Sequence, residues 1–288
     1  MLDYLIQLLV FVFIYSMLAQ SLNLSAGFVG LISLTHAGFF GIGAYTTAIL
    51  SERINSPFWI NLLIAMLISG TVALLVSLII LRTVEDYFVI ATLGIQIILF
   101  SLLNNWTSIT HGPIGISGIP GVSVLGFEIR NKFWFLIFTA VFGVTTYGLL
   151  RNITSSGFGK TLRAISEDEI LVQSFGKDVY KCKVISFTLA SIFASIPGVI
   201  YAHYISFIDP SSFTVSESIF ILSIVILGGL GNLKGSFFAA LFFVFLPELL
   251  RLLGMPNNLA ANMRQIIYGL LLIMITMRSG KSAMVSPS

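Results

Sequence analysis

The side chains that could carry catalytic or metal chemistry in this sequence are few and widely spaced. The three histidines, His36, His111 and His203, are far apart, and the sequence contains no His-Glu-x-x-His motif. The single cysteine, Cys182, excludes an intrachain disulfide and a thiolate metal cluster. These residue types and spacings predict that the chain is not an enzyme, holds no metal and needs no cofactor.

The segment Gly157-Phe158-Gly159-Lys160-Thr161 resembles the end of a phosphate-binding loop. The full pattern G-x-x-x-x-G-K-[ST] needs glycine at position 154, where this chain has Thr154, and it needs a preceding β-strand. Here an apolar run of helical length precedes the segment. The sequence therefore predicts no nucleotide site, and any ATP that drives this protein must be hydrolysed on another subunit.

Ionisable groups inside apolar runs are the remaining chemical candidates. Glu217 and Glu248 lie near the ends of runs, so neither resembles the buried carboxylate of an ion-coupled carrier. His36 lies within a run, where an ionisable group is a functional candidate by default. A hydrogen bond between two helices explains His36 equally well, and both interpretations stay open.

The amino-acid composition indicates whether the helices that carry these residues lie in water or in lipid. The chain has 288 residues, of which 57% are hydrophobic and 9% charged, against about 25% charged residues in soluble domains. Its mean hydropathy is +1.00. This balance predicts an all-α, polytopic helical bundle in a lipid bilayer. The net charge of +3 fits basic cytoplasmic loops, and no nucleic-acid partner is expected.

About nine apolar runs approach the roughly 20 residues that a spanning helix needs, with eight or ten spans as alternatives. The runs are Tyr4–Leu24, Gly27–Leu50, Phe58–Leu81, Phe88–Leu103, Phe133–Leu150, Val184–Phe207, Ser218–Leu230, Ser236–Leu253 and Gln265–Met277. The first is interpreted as a span and not as a signal peptide, because Asp3 is acidic and no basic segment precedes the run. The sequence predicts one transmembrane domain over residues 1–288.

Charge distribution predicts the orientation of the chain in the membrane. The segment Arg151–Lys183 contains six of the 15 basic residues, so it is predicted to be a cytoplasmic loop. Counting spans outward from this loop places the N-terminus outside and the C-terminus in the cytoplasm.

The segment 104–132 then becomes an outer loop, rich in glycine, proline and amide side chains. It could dock an external delivery protein, form the mouth of a path, or be only a structured loop.

Glycine and proline interrupt two of the runs, and glycines follow a third. The second run contains Gly27, Gly30, Gly38, Gly41 and Gly43, the sixth contains Pro197-Gly198, and a glycine-rich stretch, Gly228–Gly235, follows the short seventh run. Transporters use broken or short helices to expose backbone groups at membrane depth. The alternative is that these residues are simply common in membrane helices. The pattern as a whole favours broken helices.

Within the basic loop, Leu162–Gly176 has the spacing of an amphipathic helix. Ser166 is the predicted N-cap, which puts Glu167, Asp168 and Glu169 in the first turn, and Gly176 is the predicted end. Such a helix suits docking into a groove of a soluble partner. The alternative, a helix lying on lipid, is disfavoured because anionic headgroups repel the acidic cluster.

Five segments together resemble the permease subunits of bacterial ABC importers for branched-chain amino acids. They are Leu22–Tyr45, Asn104–Pro120 with its Asn-Asn-Trp-Thr and Gly-Ile-Ser-Gly-Ile-Pro sequences, Leu162–Gly176, Tyr201–Pro210 and Ile226–Gly231. The resemblance implies an importer-type transmembrane domain in the bacterial inner membrane, translocating Leu, Ile or Val. Related permeases for urea, short amides or other amino acids are the alternative, followed by an ion-coupled secondary carrier.

The resemblance also implies partners and site residues. The partners would be a second permease subunit, either a homologue or another copy, two cytoplasmic ATP-binding subunits and a periplasmic binding protein. Glu167, Asp168, Glu169 and Gly176 match the family's acidic-to-glycine motif for ATPase coupling. Polarity and glycine density alone suggest a substrate path at Thr35, His36, Gly41, Tyr45, Gln96 and Asn105.

Overall fold

The computed structural model describes residues 2–82, 85–124, 127–129, 131–252 and 269. Within these residues the α-helices are α1 (Leu2–Ala26), α2 (His36–Ile54), α3 (Phe58–Ile80), α4 (Glu85–Asn105), α5 (Thr107–Thr110), α6 (Lys132–Ser155), α7 (Gly157–Glu167), α8 (Glu169–Ser174), α9 (Val179–Ile205), α10 (Val215–Gly228) and α11 (Leu233–Leu252). The strands are β1 (Ile116–Ser117), β2 (Ser123–Val124), β3 (Phe127–Glu128) and β4 (Phe207–Ile208), and 3₁₀ turns cover Gly112–Ile114 and Pro210–Phe213.

The predicted all-α membrane fold is confirmed, apart from these two-residue strands. Among the described residues, five helices are long and apolar enough to cross a bilayer, namely α1, α3, α4, α6 and α9. Helix α10 is apolar but has only 14 residues. The predicted ninth run, Gln265–Met277, lies outside the described residues except for Gly269. The total of nine spans therefore stays a prediction.

Helices α1 and α9 form the centre of the bundle. In their most apolar windows, 61% of the α1 residues and 72% of the α9 residues are buried, against 28% in α3 and 22% in α4. Helix α9 packs on α1, α2 and α3, and α1 also packs on α6, α10 and α11. The outward surfaces of α3, α4 and α6 carry exposed apolar side chains, as expected for helices that face lipid.

The prediction that Pro197-Gly198 interrupts its span is wrong, because α9 continues from Val179 to Ile205. These small residues instead allow α2 and α9 to approach closely. A Cβ atom on Gly198 would lie 2.2 Å from the carbonyl oxygen of Phe40, and one on Gly43 would lie 2.2 Å from the carbonyl oxygen of Ser195. Close helix packing through glycine is common in membrane proteins.

The described part of segment 104–132, which was predicted to be an outer loop, is folded against the end of α9. Strand β1 pairs antiparallel with β4, with Ile116 opposite Ile208 and Ser117 opposite Phe207. The Pro120 carbonyl oxygen lies 2.7 Å from the Nδ1 of His203, which is a residue of α9. A short hairpin, β2–β3, follows. The predicted outer loop is thus a structured segment.

Candidate functional site

The first candidate site is the break between α1 and α2. The second run was predicted to span Gly27–Leu50, but residues 27–35 are not helical and α2 begins only at His36. The Nε2 of His36 lies 2.8 Å from the Oγ of Ser21, which precedes the end of α1 by five residues. The chain therefore folds back toward the bilayer interior before α2 starts.

Side chains from other helices satisfy the exposed backbone donors at the start of α2. The N–H of Ala37 donates to the Oγ of Ser218 at 3.0 Å, and the N–H of Gly38 donates to the Oε1 of Gln96 at 2.7 Å. The Nε2 of Gln96 donates in turn to the Phe213 carbonyl at 2.8 Å. Because a helix leaves its first N–H groups without internal partners, this arrangement needs polar residues from α4 and α10.

Five of the six predicted path residues lie in or beside this arrangement. Thr35, His36, Gly41, Tyr45 and Gln96 are all buried. Gly41 allows the ring of Phe213 to pack closely, since a Cβ atom would lie 3.0 Å from its Cγ. Gly41 and Tyr45 thus belong to an aromatic cluster around Phe213, while Thr35, His36 and Gln96 belong to the polar start of α2.

The sixth predicted path residue, Asn105, is separate from the others. It is exposed on α4, its Nδ2 donates to the Oγ of Ser101 at 3.0 Å, and it lines an open groove of about 600 Å³. Ile98, Leu102 and Trp106 complete the groove. The six residues predicted as a single path therefore lie in two separate places, a closed region at the start of α2 and an open groove on α4.

The second break lies between α10 and α11 and is held by Asn23, a residue that the sequence analysis did not single out. The Nδ2 of Asn23 donates to the Gly229 carbonyl at 3.1 Å and to the Oγ of Ser236 at 2.8 Å, and its Oδ1 accepts from the Gly231 N–H at 2.8 Å. Gly231 has a φ of +74°, which favours glycine. A buried amide within an apolar run was the signal that could have identified Asn23.

The two breaks are therefore adjacent. Gly27 follows Asn23 by one helical turn, and a Cβ atom on Gly27 would lie 2.2 Å from the backbone nitrogen of Gly231. Only glycine permits this contact between the end of α1 and the turn that joins α10 to α11. The break after α1 and the break between α10 and α11 therefore meet at the Asn23 amide and at the contact between Gly27 and Gly231.

The segment predicted as the cytoplasmic loop Arg151–Lys183 contains the end of α6, α7, α8 and the start of α9. A single residue, Ser156, separates α6 from α7, and its side chain accepts the Gly159 N–H at 3.4 Å. Leu162 and Ile165 of α7 are buried against the bundle. The sequence Gly157–Thr161 is the first turn of α7, preceded by helix α6 and not by a strand.

The prediction that one helix begins at Ser166 is wrong. Ser166 lies in the last turn of α7, and its Oγ donates to the Arg163 carbonyl at 2.7 Å. The helix breaks at Asp168 because this carboxylate accepts the Leu171 N–H at 2.9 Å and so caps α8, a position that favours aspartate. Glu167 thus ends α7, and only Glu169 lies in the first turn of α8.

Helix α8 ends where the sequence predicted and is fixed to α9. Gly176, with a φ of +74°, follows the end of α8. Glu169 forms an ion pair with Lys183 of α9. On its outward side α8 presents three strongly exposed apolar side chains: Ile170 is 81% exposed, Leu171 54%, and the adjoining Phe175 76%.

A direct contact connects α7 to the break between α1 and α2. The guanidinium carbon of Arg163 lies 4.8 Å from the centre of the Phe28 ring, within the range of a cation–π interaction. Phe28 itself is buried. Helix α7 therefore contacts the non-helical segment that leads to His36.

Comparison with known proteins identifies the family. A family model described as "Branched-chain amino acid transport system / permease component" matches residues 4–276. The high-affinity branched-chain amino acid transport system permease protein LivM of Salmonella typhimurium is 35% identical over 261 residues, covering 83% of this chain and 61% of that protein. The chain thus spans about three fifths of the length of this relative.

Two archaeal proteins are also similar. The probable branched-chain amino acid transport permease protein LivM of Methanocaldococcus jannaschii is 27% identical over 262 residues, covering 82% of this chain and 75% of that protein. The probable permease protein LivH of the same organism is 24% identical over 233 residues, covering 76% of this chain and 71% of that protein. No solved structure matches the chain.

Proposed function

The chain belongs to the branched-chain amino acid transport permease family, and on this basis we propose that it is the transmembrane permease subunit of an ATP-driven importer. It is a multi-pass membrane protein. The proposed substrates are leucine, isoleucine and valine, delivered by a periplasmic binding protein and released into the cytoplasm. The proposed location is a bacterial inner membrane, with the N-terminus outside and the C-terminus inside.

The structural observation that supports this proposal is the exposed apolar surface at α8. Ile170 and Leu171 lie on this short helix and Phe175 directly follows it, outside the candidate spans, where solvent or headgroups would surround them. An apolar surface beside charged groups is typical of a protein interface. We assign it to one of two ATP-binding subunits, with Glu167, Asp168, Glu169 and Gly176 at or beside the contact.

The contacts of α7 provide a route from ATP hydrolysis to the substrate path. A displacement of α7 would act on Phe28 through Arg163, and hence on the segment that leads to the start of α2. Thr35, His36, Gly41, Tyr45 and Gln96 are proposed to line the path once the helices around α2 separate. They are buried in the described conformation, so access requires a population shift between closed and open states.

A second permease subunit is proposed to cover the outer surface of α4. The exposed surface of α3 presents large apolar side chains such as Leu63 and Leu67, which suit lipid. Helix α4 also exposes apolar side chains such as Ile98, but near its end it exposes the polar residues Ser101 and Asn105 beside an open groove. Polar groups that face lipid are costly, which favours a protein partner here. A homologue is favoured over a second copy because Methanocaldococcus jannaschii has both a LivM and a LivH relative.

Reconstitution in liposomes tests the proposal. The chain, a homologous permease, the ATP-binding subunits and the binding protein should together accumulate radiolabelled leucine only when ATP is supplied on the α8 side. A variant of the ATP-binding subunit that cannot hydrolyse ATP is the control. Leucine uptake by the chain alone, driven by an ion gradient, would contradict the proposal and support a secondary carrier.

A further inference from the structure

A groove open to the bilayer lies over α1, between α6 and α11. Its volume is about 430 Å³. Two of its wall residues, Val144 of α6 and Phe238 of α11, are 66% and 67% exposed, so the groove opens onto the outer surface of the described helices. We refer to it as the α6–α11 groove.

The α6–α11 groove is polar at one end and apolar at the other. Gln20 lies six residues before the end of α1, and Lys234 is the second residue of α11. These two ends meet, because the Asn23 amide donates to the Asn232 carbonyl. Phe13 lies seven residues further along α1, which is about 10 Å toward the bilayer interior. The groove therefore becomes apolar with increasing membrane depth.

Two polar groups at this end lack partners among the described residues. Gln20 is 2% exposed, yet its Oε1 accepts no hydrogen bond. Lys234 forms no ion pair with a described carboxylate. A buried carbonyl oxygen without a donor is costly, and a cation at the membrane boundary attracts an anion. Because Lys234 is exposed at the groove, it suits a ligand with a negative charge, whereas the Gln20 oxygen is closed off from the groove.

We propose that the α6–α11 groove binds one anionic phospholipid, such as phosphatidylglycerol. Its phosphate lies at Lys234, and an acyl chain occupies the apolar end beside Phe13, Val144 and Phe238. The lipid comes from the leaflet on the side of α7 and α8. Only the identification of this leaflet as cytoplasmic rests on the proposed function.

Quenching of tryptophan fluorescence by brominated lipids tests the site in the full chain. The native tryptophans, Trp59, Trp106 and Trp134, are replaced by phenylalanine, and Phe238→Trp introduces a probe in the groove wall. Leu67→Trp, on a surface of α3 that is 69% exposed, is the matched control. Each variant is reconstituted in vesicles that mix phosphatidylcholine with brominated phosphatidylglycerol, or phosphatidylglycerol with brominated phosphatidylcholine.

The probe at position 238 should report a preference for phosphatidylglycerol of about fivefold, the value expected for one basic residue at a membrane surface. The probe at position 67 should report a ratio near 1. Adding Lys234→Gln should reduce the groove ratio to near 1 without changing membrane insertion. An equal ratio at both probes, or a ratio that survives Lys234→Gln, overturns the proposal.

Absence of quenching by either lipid at position 238 also overturns it, because protein then covers the groove, either a second copy of this chain or its residues 253–288. The assay measures no transport, so its outcome is independent of leucine uptake. A lipid preference without ATP-driven uptake would retain the site and reject the importer, and the reverse result would reject the site alone.

Discussion

Truncating Phe175 to alanine is expected to weaken the association of this permease with its ATP-binding subunit by roughly 5- to 30-fold. The ring is 76% exposed in the described chain, so most of it is available for burial by a partner. Full burial of a phenylalanine side chain contributes about 1.5–3 kcal/mol. Multiplying this value by the exposed fraction gives a loss of binding free energy of about 1–2 kcal/mol, which corresponds to a dissociation constant roughly 5- to 30-fold higher.

The measurement is titration of the purified ATP-binding subunit onto the permease in nanodiscs, with the dissociation constant determined by fluorescence anisotropy. Leu63→Ala on α3 is the matched control, because this side chain is 67% exposed but belongs to the lipid-facing surface. Its dissociation constant should equal that of the unmodified chain. Equal affinity of Phe175→Ala and the unmodified chain would refute the assignment of α8 as the docking helix.

Three other variants test the internal contacts. Glu169→Lys should reduce substrate-stimulated ATP hydrolysis because it breaks the ion pair with Lys183, and the exchanged pair Glu169→Lys/Lys183→Glu should restore it; no recovery would place the role of Glu169 elsewhere. Gly27→Ala should lower the free energy of unfolding in detergent by about 1–3 kcal/mol through overpacking, whereas Gly148→Ala, where a Cβ atom contacts nothing within 4 Å, should raise it by about 0.5–1 kcal/mol. Gln96→Leu should lower it by about 1–3 kcal/mol, because the Phe213 carbonyl is left without a partner while the Gly38 N–H keeps its bond to the Thr35 carbonyl; an unchanged denaturation midpoint would argue against the hydrogen bond to Phe213.

The sequence predicted the membrane fold well because apolar runs and charge clusters are local signals. Seven predicted runs correspond to helices, and most of the second run corresponds to α2. The place of the break was harder to predict, because five glycines in this run looked alike. Gly27 packs against the backbone of Gly231 and Gly43 against the backbone of Ser195. These partners are roughly 150–200 positions away in the sequence, so a local pattern does not reveal them.

The candidate site was predicted only in part, for one local reason and one long-range reason. The acidic cluster Glu167–Glu169 was recognised, but the division into α7 and α8 depends on which acidic side chain caps the second helix. The pattern did not distinguish Ser166 from Asp168 as the N-cap, because serine and aspartate both favour that position. Asn23 was missed because its significance comes from the turn that joins α10 to α11.

The hydrogen bonds of Asn23 also have a consequence for the synthesis of the chain. Its amide enters the membrane with the first helix, whereas its acceptor on Gly229 is 206 residues further along the sequence. An amide side chain in hydrocarbon is costly without a partner, so α1 must retain water or a temporary protein contact until α10 and α11 are inserted. Helix α1 therefore acquires all its native contacts only after α10 and α11 are inserted.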